Sequence, residues 1–326
     1  KEGGGMFSPK RALVVFLVVL FVVACRTVSV DSERTTPVAV TPEEARIRLD
    51  LVQEIKAFEA KLGWKPTDNF REYSETLETY NSCGRAETLS FMAWWDTSTK
   101  EECEEDGRIY DTTYSEAEAI AGSGTPVSRS LMQTELSRFI YVVFHEDFHE
   151  QMRGVPTLAL NESATQLVGL LAAREFTRER YGKDSDIHRA FVEEIEFALK
   201  DANIEKHYYQ ELERLYERVS RGELDRAQGL KEKAILFEKM HSECEDIRFV
   251  IAVSCNRITN NILFVLSIPY AMHYPLFFDL YKSCALNVKR TGVAVMRLVG
   301  ENQTEEKFIS HAEELIRKGC AFHGAS

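Results

Sequence analysis

FIYVVFHEDFHE, residues 139–150, has the apolar spacing of a buried helix. The apolar residues that share one helix face stand at positions 136, 139, 140, 143 and 144. On a helix, His145 and His149 are four residues apart and point the same way. Two neutral imidazoles at that spacing can bind one zinc ion, with Glu146 beside them to take up a proton. The alternative, two solvated histidines on a charged face, is disfavoured by the phenylalanines around them.

A catalytic zinc site needs a third protein ligand and keeps one position open. The stretch LNESAT, residues 160–165, begins a second apolar helix, and the turn RGVP at 153–156 lets the two helices pair antiparallel. Glu162 would then face the metal. The alternative is a carboxylate in the first helical turn, with Asn161 as the N-cap. We favour the ligand, because the two histidines lie just upstream.

The rest of the chain indicates a mainly α fold with a small β-sheet, an α+β class. A helix start is expected at Thr41-Pro42-Glu43-Glu44, with Pro at the first position and acids in the first turn. Residues 186–245 are dense in Glu, Lys and Arg and predict a long charged helical hairpin. The other helical patterns cover roughly 131–152, 158–181, 246–262, 271–286 and 303–318. The best strand candidates are 89–95, 108–110 and 124–128.

The N-terminal segment has the pattern of a lipoprotein signal peptide. Lys10-Arg11 precedes an uncharged apolar run, Ala12 to Ala24, that is shorter than the roughly 20 residues of a spanning helix. The run ends at Cys25, which resembles the acylated cysteine of a bacterial lipobox; the alternative is a plain membrane anchor with a chance cysteine. Residue 26 is Arg rather than Asp, which in lipoproteins favours the outer membrane, facing the periplasm. We therefore expect a signal peptide at 1–24, a flexible tether at 25–42 and one domain at 43–326.

Composition narrows the class of protein and its compartment. Of 326 residues, 44% are hydrophobic, and the net charge of -12 argues against a nucleic-acid partner, which needs a basic face.

With Cys25 assigned to lipid, six of the seven cysteines remain, which permits up to three disulfides in an exported chain. Buried free thiols are the alternative. Proximity in the sequence favours the pairs Cys83–Cys103 and Cys244–Cys255, which leaves Cys284–Cys320 as the third pair across the C-terminal helices.

The two helical motifs together resemble a known family. His145-Glu146-x-x-His149 followed by Asn161-Glu162-Ser163-Ala164-Thr165 is similar to the gluzincin metallopeptidases. More narrowly, it resembles a family of predicted bacterial aminopeptidases that are often envelope lipoproteins. The sequence departs from that family in having Asp147-Phe148 where Leu-Ala is usual, and in lacking a Phe after Ser163. These departures leave the metal ligands intact and affect the expected substrate preference.

The resemblance implies a mechanism and a set of site residues. One zinc ion, held by His145, His149 and Glu162, would activate a bound water for which Glu146 is the general base. Asn161 and Thr165 belong to the ligand motif and would lie around the metal. Tyr270 and His273, in the stretch IPYAMHYP at 268–275, are the candidates for the donor that stabilises the developing oxyanion. An extended peptide would pair with an edge strand formed by Gly124, Thr125, Pro126, Val127 and Ser128.

Two functions from different classes are compatible with this sequence. The first is a zinc-dependent peptidase of the bacterial cell envelope, an aminopeptidase rather than an endopeptidase, with peptides or proteins as substrate and the membrane contacted through the lipid on Cys25. The second is a non-catalytic helical lipoprotein that binds partners and carries a structural or vestigial metal. The intact Glu146 and a set of only three ligands favour catalysis.

Overall fold

The computed structural model describes residues 40–122, 124–247, 255–300 and 303–320. Segment 1–24, Cys25 and the tether as far as residue 39 lie outside the described residues, so their assignments stay predictions. The described chain is mainly helical with one small sheet, as the sequence predicts. Its helices are α1 (Pro42–Leu62), α2 (Lys100–Asp106), α3 (Arg129–Met132), α4 (Leu136–Gln151), α5 (Leu158–Tyr181), α6 (Asp186–Ser220), α7 (Arg226–Glu243), α8 (Asn261–Ala271), α9 (Tyr274–Ser283), α10 (Val288–Leu298) and α11 (Glu305–Arg317).

Local sequence explains where the helices begin. Thr41 caps α1 in a reciprocal capping box with Glu44, and Pro42 occupies the first turn, so the predicted start of this helix is confirmed. The charged hairpin is formed by α6, which has 35 residues, and α7. Asp225 starts α7 with a second capping box to Gln228. Apolar residues of α6 such as Phe191 are fully buried while its charged face is solvated.

The sheet has three antiparallel strands in the order β2-β1-β3: β1 (Tyr80–Ala86), β2 (Ala93–Asp96) and β3 (Asp111–Ala117). Cys83 in β1 lies opposite Asp96 in β2 and Tyr114 in β3. Gly84 allows α8 to approach the sheet, because a Cβ at this position would lie 2.9 Å from Ile262 Cγ1.

The strand predictions were largely wrong. Only the end of 89–95 is a strand, in β2, and 108–110 is a turn that precedes β3. Residues 124–128 form no strand but a single bridge between Val127 and Tyr73. Pro126 has no N–H for a ladder, and the N–H of Thr125 donates to Gly122 O within a turn.

The helix expected at 246–262 is also not continuous. Residues 248–254 lie outside the described part of the chain, Cys255–Arg257 form a 3₁₀ turn, and a new helix starts at Asn261. Asn260 caps that helix, α8, by accepting from the N–H of Leu263. The helix expected at 271–286 is observed as α9, from Tyr274 to Ser283.

Helix α4 is the centre of the hydrophobic core. Every residue from Phe139 to His149 is buried, which goes beyond the single buried face that its periodicity predicts. The ring of Phe144 makes edge-on contacts with Phe58 of α1 and Phe176 of α5, at centroid distances of 6.0 and 5.7 Å. Phe148 packs on Trp64 at 4.9 Å. The core therefore fixes α4 between α1 and α5.

Residues Asn261–Ser283 are apolar and long enough to cross a membrane by length and composition alone. The stretch comprises α8 and α9, which are separated by a turn at residues 272–273. Both helices pack on α5 and α6. We therefore describe them as part of the core of the domain.

Six cysteines form three disulfides. Cys83–Cys103 joins β1 to α2, Cys244–Cys255 joins the end of α7 to the 3₁₀ turn, and Cys284–Cys320 joins the end of α9 to the chain after α11. These are the three predicted pairs. All six cysteines are buried, with at most 2% of each residue exposed.

Removal of a disulfide is expected to cost more stability the longer the loop that it closes, with a logarithmic dependence on loop length. The Cys284–Cys320 loop spans 36 residues and the Cys244–Cys255 loop spans 11. Loop-closure entropy predicts that the Cys284→Ser/Cys320→Ser variant loses about 4 kcal/mol of unfolding free energy, about 1 kcal/mol more than Cys244→Ser/Cys255→Ser. Urea denaturation of the two double variants measures the difference. A larger loss from the shorter loop would contradict this order.

Candidate metal centre and active site

Helices α4 and α5 bring three potential metal ligands to one point. His145 Nε2 and His149 Nε2 lie 3.1 Å apart, and each lies 3.4 Å from Glu162 Oε2. All three side chains are buried, with at most 3% of each residue exposed. Ligands at roughly 2.1 Å from a tetrahedral ion would be about 3.4 Å from one another. The three atoms therefore have the spacing of ligands around a single ion.

Close packing of the two helices positions these ligands. Gly169 of α5 faces the backbone of α4, and a Cβ at this position would lie 3.4 Å from both the Cα and the N of His145. A larger side chain would push α5 away from α4. Since α5 carries Glu162 and α4 carries the imidazoles, this contact sets the distance between the carboxylate and the two rings.

Neighbouring oxygens orient both imidazoles. Tyr141 Oη lies 3.1 Å from His145 Nδ1, and Asn161 Oδ1 lies 2.6 Å from His149 Nδ1. We assign the ring protons to Nδ1, from which they are donated to these oxygens, so that each Nε2 presents a lone pair to the metal position. Thr165 Oγ1 donates to Asn161 Oδ1 at 3.3 Å and helps to fix it.

Asn161 does not cap α5. The cap is Thr157, whose hydroxyl accepts from the N–H of Leu160, and α5 begins at Leu158. Glu162 therefore lies beyond the first turn, where a carboxylate has no capping role. This geometry removes the alternative explanation of Glu162 that the sequence left open.

The charge balance of the ligand cluster favours a cation. Burial alone would lower the pKa of His149, but the Glu162 carboxylate raises it to about 9. Burial would raise the pKa of Glu162, but His149 and His145 lower it to about 2. Burial lowers the pKa of His145 to about 4. One positive charge between the rings and the carboxylate is thus stabilised, and a proton on His149 supplies it when no metal is bound.

Unpaired oxygens show that a metal ion fits this cluster. Among the described residues, Glu162 Oε2 is buried and has no hydrogen-bond partner, and the same is true of both carboxylate oxygens of Glu146. Buried carboxylate oxygens without partners are costly unless a cation is close. A second group, Asp201 with Cys244 and Cys255, is not a comparable site, because its sulfur atoms form a disulfide.

Glu146 lies beside the ligands and is the candidate base. Its side chain is 1% exposed, and burial raises its pKa to about 8. His149 and Arg138 act in the opposite direction and favour the carboxylate. A carboxyl group poised near neutral pH can both take up and release a proton.

The structure brings Tyr270 to the site. Its ring stacks on His145, with centroids 6.0 Å apart and an angle of 22° between the planes, and its phenol faces Glu162. Burial, followed by the charge of Glu162, raises the pKa of Tyr270, so this phenol stays a donor at neutral pH. Tyr270 is partly exposed, which leaves it accessible from the solvent side.

The ring of His273 contacts a helix other than α4 and α5. Its Nε2 lies 2.7 Å from Glu305 Oε1 at the start of α11, and its backbone N–H donates to Ser163 Oγ. His273 occupies the N-cap position of α9, beyond the end of the helix that carries Tyr270. These contacts give no support to His273 as an oxyanion donor, and that assignment stays a prediction.

Residues 124–128 approach the site without forming an edge strand. Val127 is already paired: its N–H donates to Glu72 O, and its carbonyl accepts from the N–H of Ser74. The carbonyl of Thr125 likewise accepts from the N–H of Phe70. The prediction of a strand at Gly124–Ser128 is thus wrong, and residues 70–74 occupy the edge that Thr125 and Val127 present; binding of a substrate by this segment stays a prediction.

Three residues near the metal position were not predicted from the sequence. Tyr141 precedes His145 by four residues, a spacing that could have identified it on α4. Arg138 pairs with Glu118 at 2.9 Å, and its charge reaches His145, Glu146 and Tyr270. Tyr80 of β1 interacts with Glu146 and Thr125. Arg138 and Tyr80 meet the site through tertiary packing, for which the sequence has no local signal.

Asp147, which departs from the family pattern, forms a buried polar cluster. It pairs with Lys56 and accepts from Thr67 Oγ1 at 2.6 Å and from Asn69 Nδ2 at 3.1 Å. Asn69 Oδ1 in turn accepts from the N–H of Gly124. The residue after Glu146 thus links α4 to α1 and to the 124–128 segment.

Asn161→Ala is expected to weaken Zn²⁺ binding about 10–100-fold, because His149 loses the acceptor that fixes its ring. Competition with a chromophoric chelator measures the affinity. Asn203→Ala serves as the control, since Asn203 is exposed on α6 and bonds only Leu199 O of its own helix. Equal affinities for the wild type and the Asn161 variant would contradict the assigned tautomer.

Binding of Zn²⁺ at pH 7 is expected to release the proton of His149, and the Glu146 carboxyl, whose burial raises its pKa to about 8, is a second group that holds a proton at this pH. The pKa of this imidazole is raised from 6.5 to about 9, so its contribution to the stability of the metal-free protein is complete below pH 6.5 and is lost as the pH rises through about 9. Metal affinity should accordingly rise about tenfold per pH unit between pH 7 and 9. Calorimetry in buffers of different ionisation enthalpy counts the proton. Glu146→Gln should retain the release; its loss in that variant would assign the proton to Glu146.

A family model described as "Putative aminopeptidase" matches residues 98–309, which is more than half of the chain. The match includes α4, α5 and α8, and with them all three ligands, Glu146 and Tyr270. No curated protein and no solved structure matches the chain. The chain therefore belongs to the "Putative aminopeptidase" family.

Proposed function

We propose that this protein is a zinc-dependent aminopeptidase with the gluzincin type of site. The observation that carries the proposal is the convergence of His145, His149 and Glu162 within 3.4 Å, with the buried and unpaired carboxylate of Glu146 beside them. Two imidazole nitrogens and one carboxylate oxygen suit zinc. Three protein ligands leave a position for substrate or water, whereas structural zinc sites are usually closed by four.

The metal, when bound, supplies a Lewis acid that polarises the scissile carbonyl and lowers the pKa of water. Glu146 accepts the proton of the attacking water and later delivers it to the leaving amine nitrogen. Tyr270 donates a hydrogen bond to the carbonyl oxygen as negative charge develops there. Tyr141 and Asn161 hold the imidazoles in the tautomer that the site requires.

The cell envelope is the proposed location. Three disulfides are common in exported proteins and rare in reducing compartments. The lipobox-like end of the apolar run at Cys25 supports a lipid anchor, with the domain facing the periplasm from the outer membrane. The competing function is a structural or vestigial metal site. The unpaired Glu146 argues against it, because a purely structural site has no use for a costly buried carboxylate that is not itself a metal ligand.

Glu146→Gln is expected to lower kcat/KM about 10²–10⁴-fold while the zinc content stays at one ion, because the amide cannot accept a proton. The matched control is Glu150→Gln on the same helix, whose partner is Arg153 at the surface and which should retain activity. The measurement is hydrolysis of a peptide library whose members carry free or acetylated N-termini.

Each result of this experiment has a defined consequence. Cleavage restricted to free N-termini supports an aminopeptidase, and equal cleavage of blocked peptides assigns an endopeptidase instead. Undiminished cleavage by Glu146→Gln would show that the mechanism is wrong. Unfolding on chelation, with no cleavage of any peptide by the zinc-loaded wild type, would establish the structural role.

A further inference from the structure

Ser163 is the residue after the metal ligand Glu162, and its hydroxyl bridges two backbone groups of another segment. Ser163 Oγ donates to Pro269 O at 2.7 Å and accepts from the N–H of His273 at 3.0 Å. The side chain is fully buried. Both capacities of the hydroxyl, donor and acceptor, are thus used.

The two bridged groups would bond each other in a continuous helix. Residues 269 and 273 are four apart, so the N–H of His273 would donate to Pro269 O if α8 and α9 were one helix. The Ser163 hydroxyl occupies the place of that bond, and α8 ends at Ala271 while α9 begins at Tyr274. Insertion of a side chain into the helical ladder is a recognised cause of a break, and Pro269 removes a further bond from the preceding turn because it has no N–H to donate to the carbonyl of Val265.

Tyr270 lies between the two bridged groups. Its ring rests on His145 and its phenol faces Glu162, so it contacts two of the three potential ligands. The hydroxyl of Ser163 therefore ties the backbone on both sides of Tyr270 to the helix turn that carries Glu162.

We propose that Ser163 is a positioning residue that sets the place of the Tyr270 phenol relative to the metal ligands. This inference rests on the proposed peptidase function. Alanine would remove the shared partner of the Pro269 carbonyl and the His273 N–H, and the turn would relax to regain partners. Tyr270 would move with it. A displacement of about 1 Å at a group that stabilises the transition state lowers the rate strongly while substrate binding changes little.

A double-mutant cycle between Ser163 and Tyr270 separates positioning from simple packing. Ser163→Ala is expected to lower kcat about 10–100-fold with KM and zinc content near those of the wild type. In the Tyr270→Phe background the same substitution should lower kcat less than about threefold, because the group that it positions is already absent. Thr177→Ala is the control: Thr177 is a fully buried residue of α5 whose hydroxyl bonds only carbonyls of its own helix.

Amide hydrogen exchange on the metal-free protein adds a readout that does not depend on activity. Ser163→Ala should speed exchange of the His273 amide at least tenfold, and Thr177→Ala should not. If Ser163→Ala does not fold, Ser163→Cys, which keeps a weaker donor and acceptor, should show the same pattern at smaller amplitude.

Different results would contradict the positioning role of Ser163 and the proposed peptidase function. Equal loss of kcat in both backgrounds, no loss in the wild-type background, or unchanged exchange of the His273 amide would overturn the positioning role. A zinc-loaded wild type that cleaves no peptide would overturn the proposed function and the positioning role with it. An active wild type with an additive cycle would remove only the role of Ser163.

Discussion

The close contact between α4 and α5 at Gly169 is the constraint on which the rest of the structure depends. It lets two helices approach at the level of His145, in the middle of a core built from phenylalanine and leucine. Polar groups at such a place are tolerated only if their charges and hydrogen bonds are satisfied. In the cluster that meets this demand, each potential ligand either has a hydrogen-bond partner that orients it or faces the point where a cation would lie. The same contact between the two helices therefore affects both the stability of the core and the geometry of the site.

Helical periodicity predicted the parts of this arrangement that are local. The i, i+4 spacing placed His145 and His149 on one face, and the apolar run beginning at Leu160 placed Glu162 on a partner helix. The same reasoning could have found Tyr141, which is four residues before His145. Local spacing could not place His273, because the break between α8 and α9 depends on a hydroxyl contributed by α5.

The sheet was less predictable for a related reason. β1 contains Asn81, Ser82, Gly84 and Arg85, which have low strand propensity and no alternating pattern. Its strand conformation follows from pairing on both edges and from the packing of α8 on Gly84, both of which are non-local. Residues 124–128 are the opposite case: Thr125 and Val127 favour an extended backbone, but the turn at Gly122 and the missing N–H of Pro126 confine the segment to one bridge.

The pairing of His149 with Glu162 has a consequence for the metal-free protein. The Glu162 carboxylate raises the pKa of His149, and the imidazolium that this favours offsets the charge of the carboxylate inside the core. A metal ion bound at the same place would displace that proton, so metal binding and proton release would be linked. The pH of the compartment would therefore affect how readily a metal ion occupies the site.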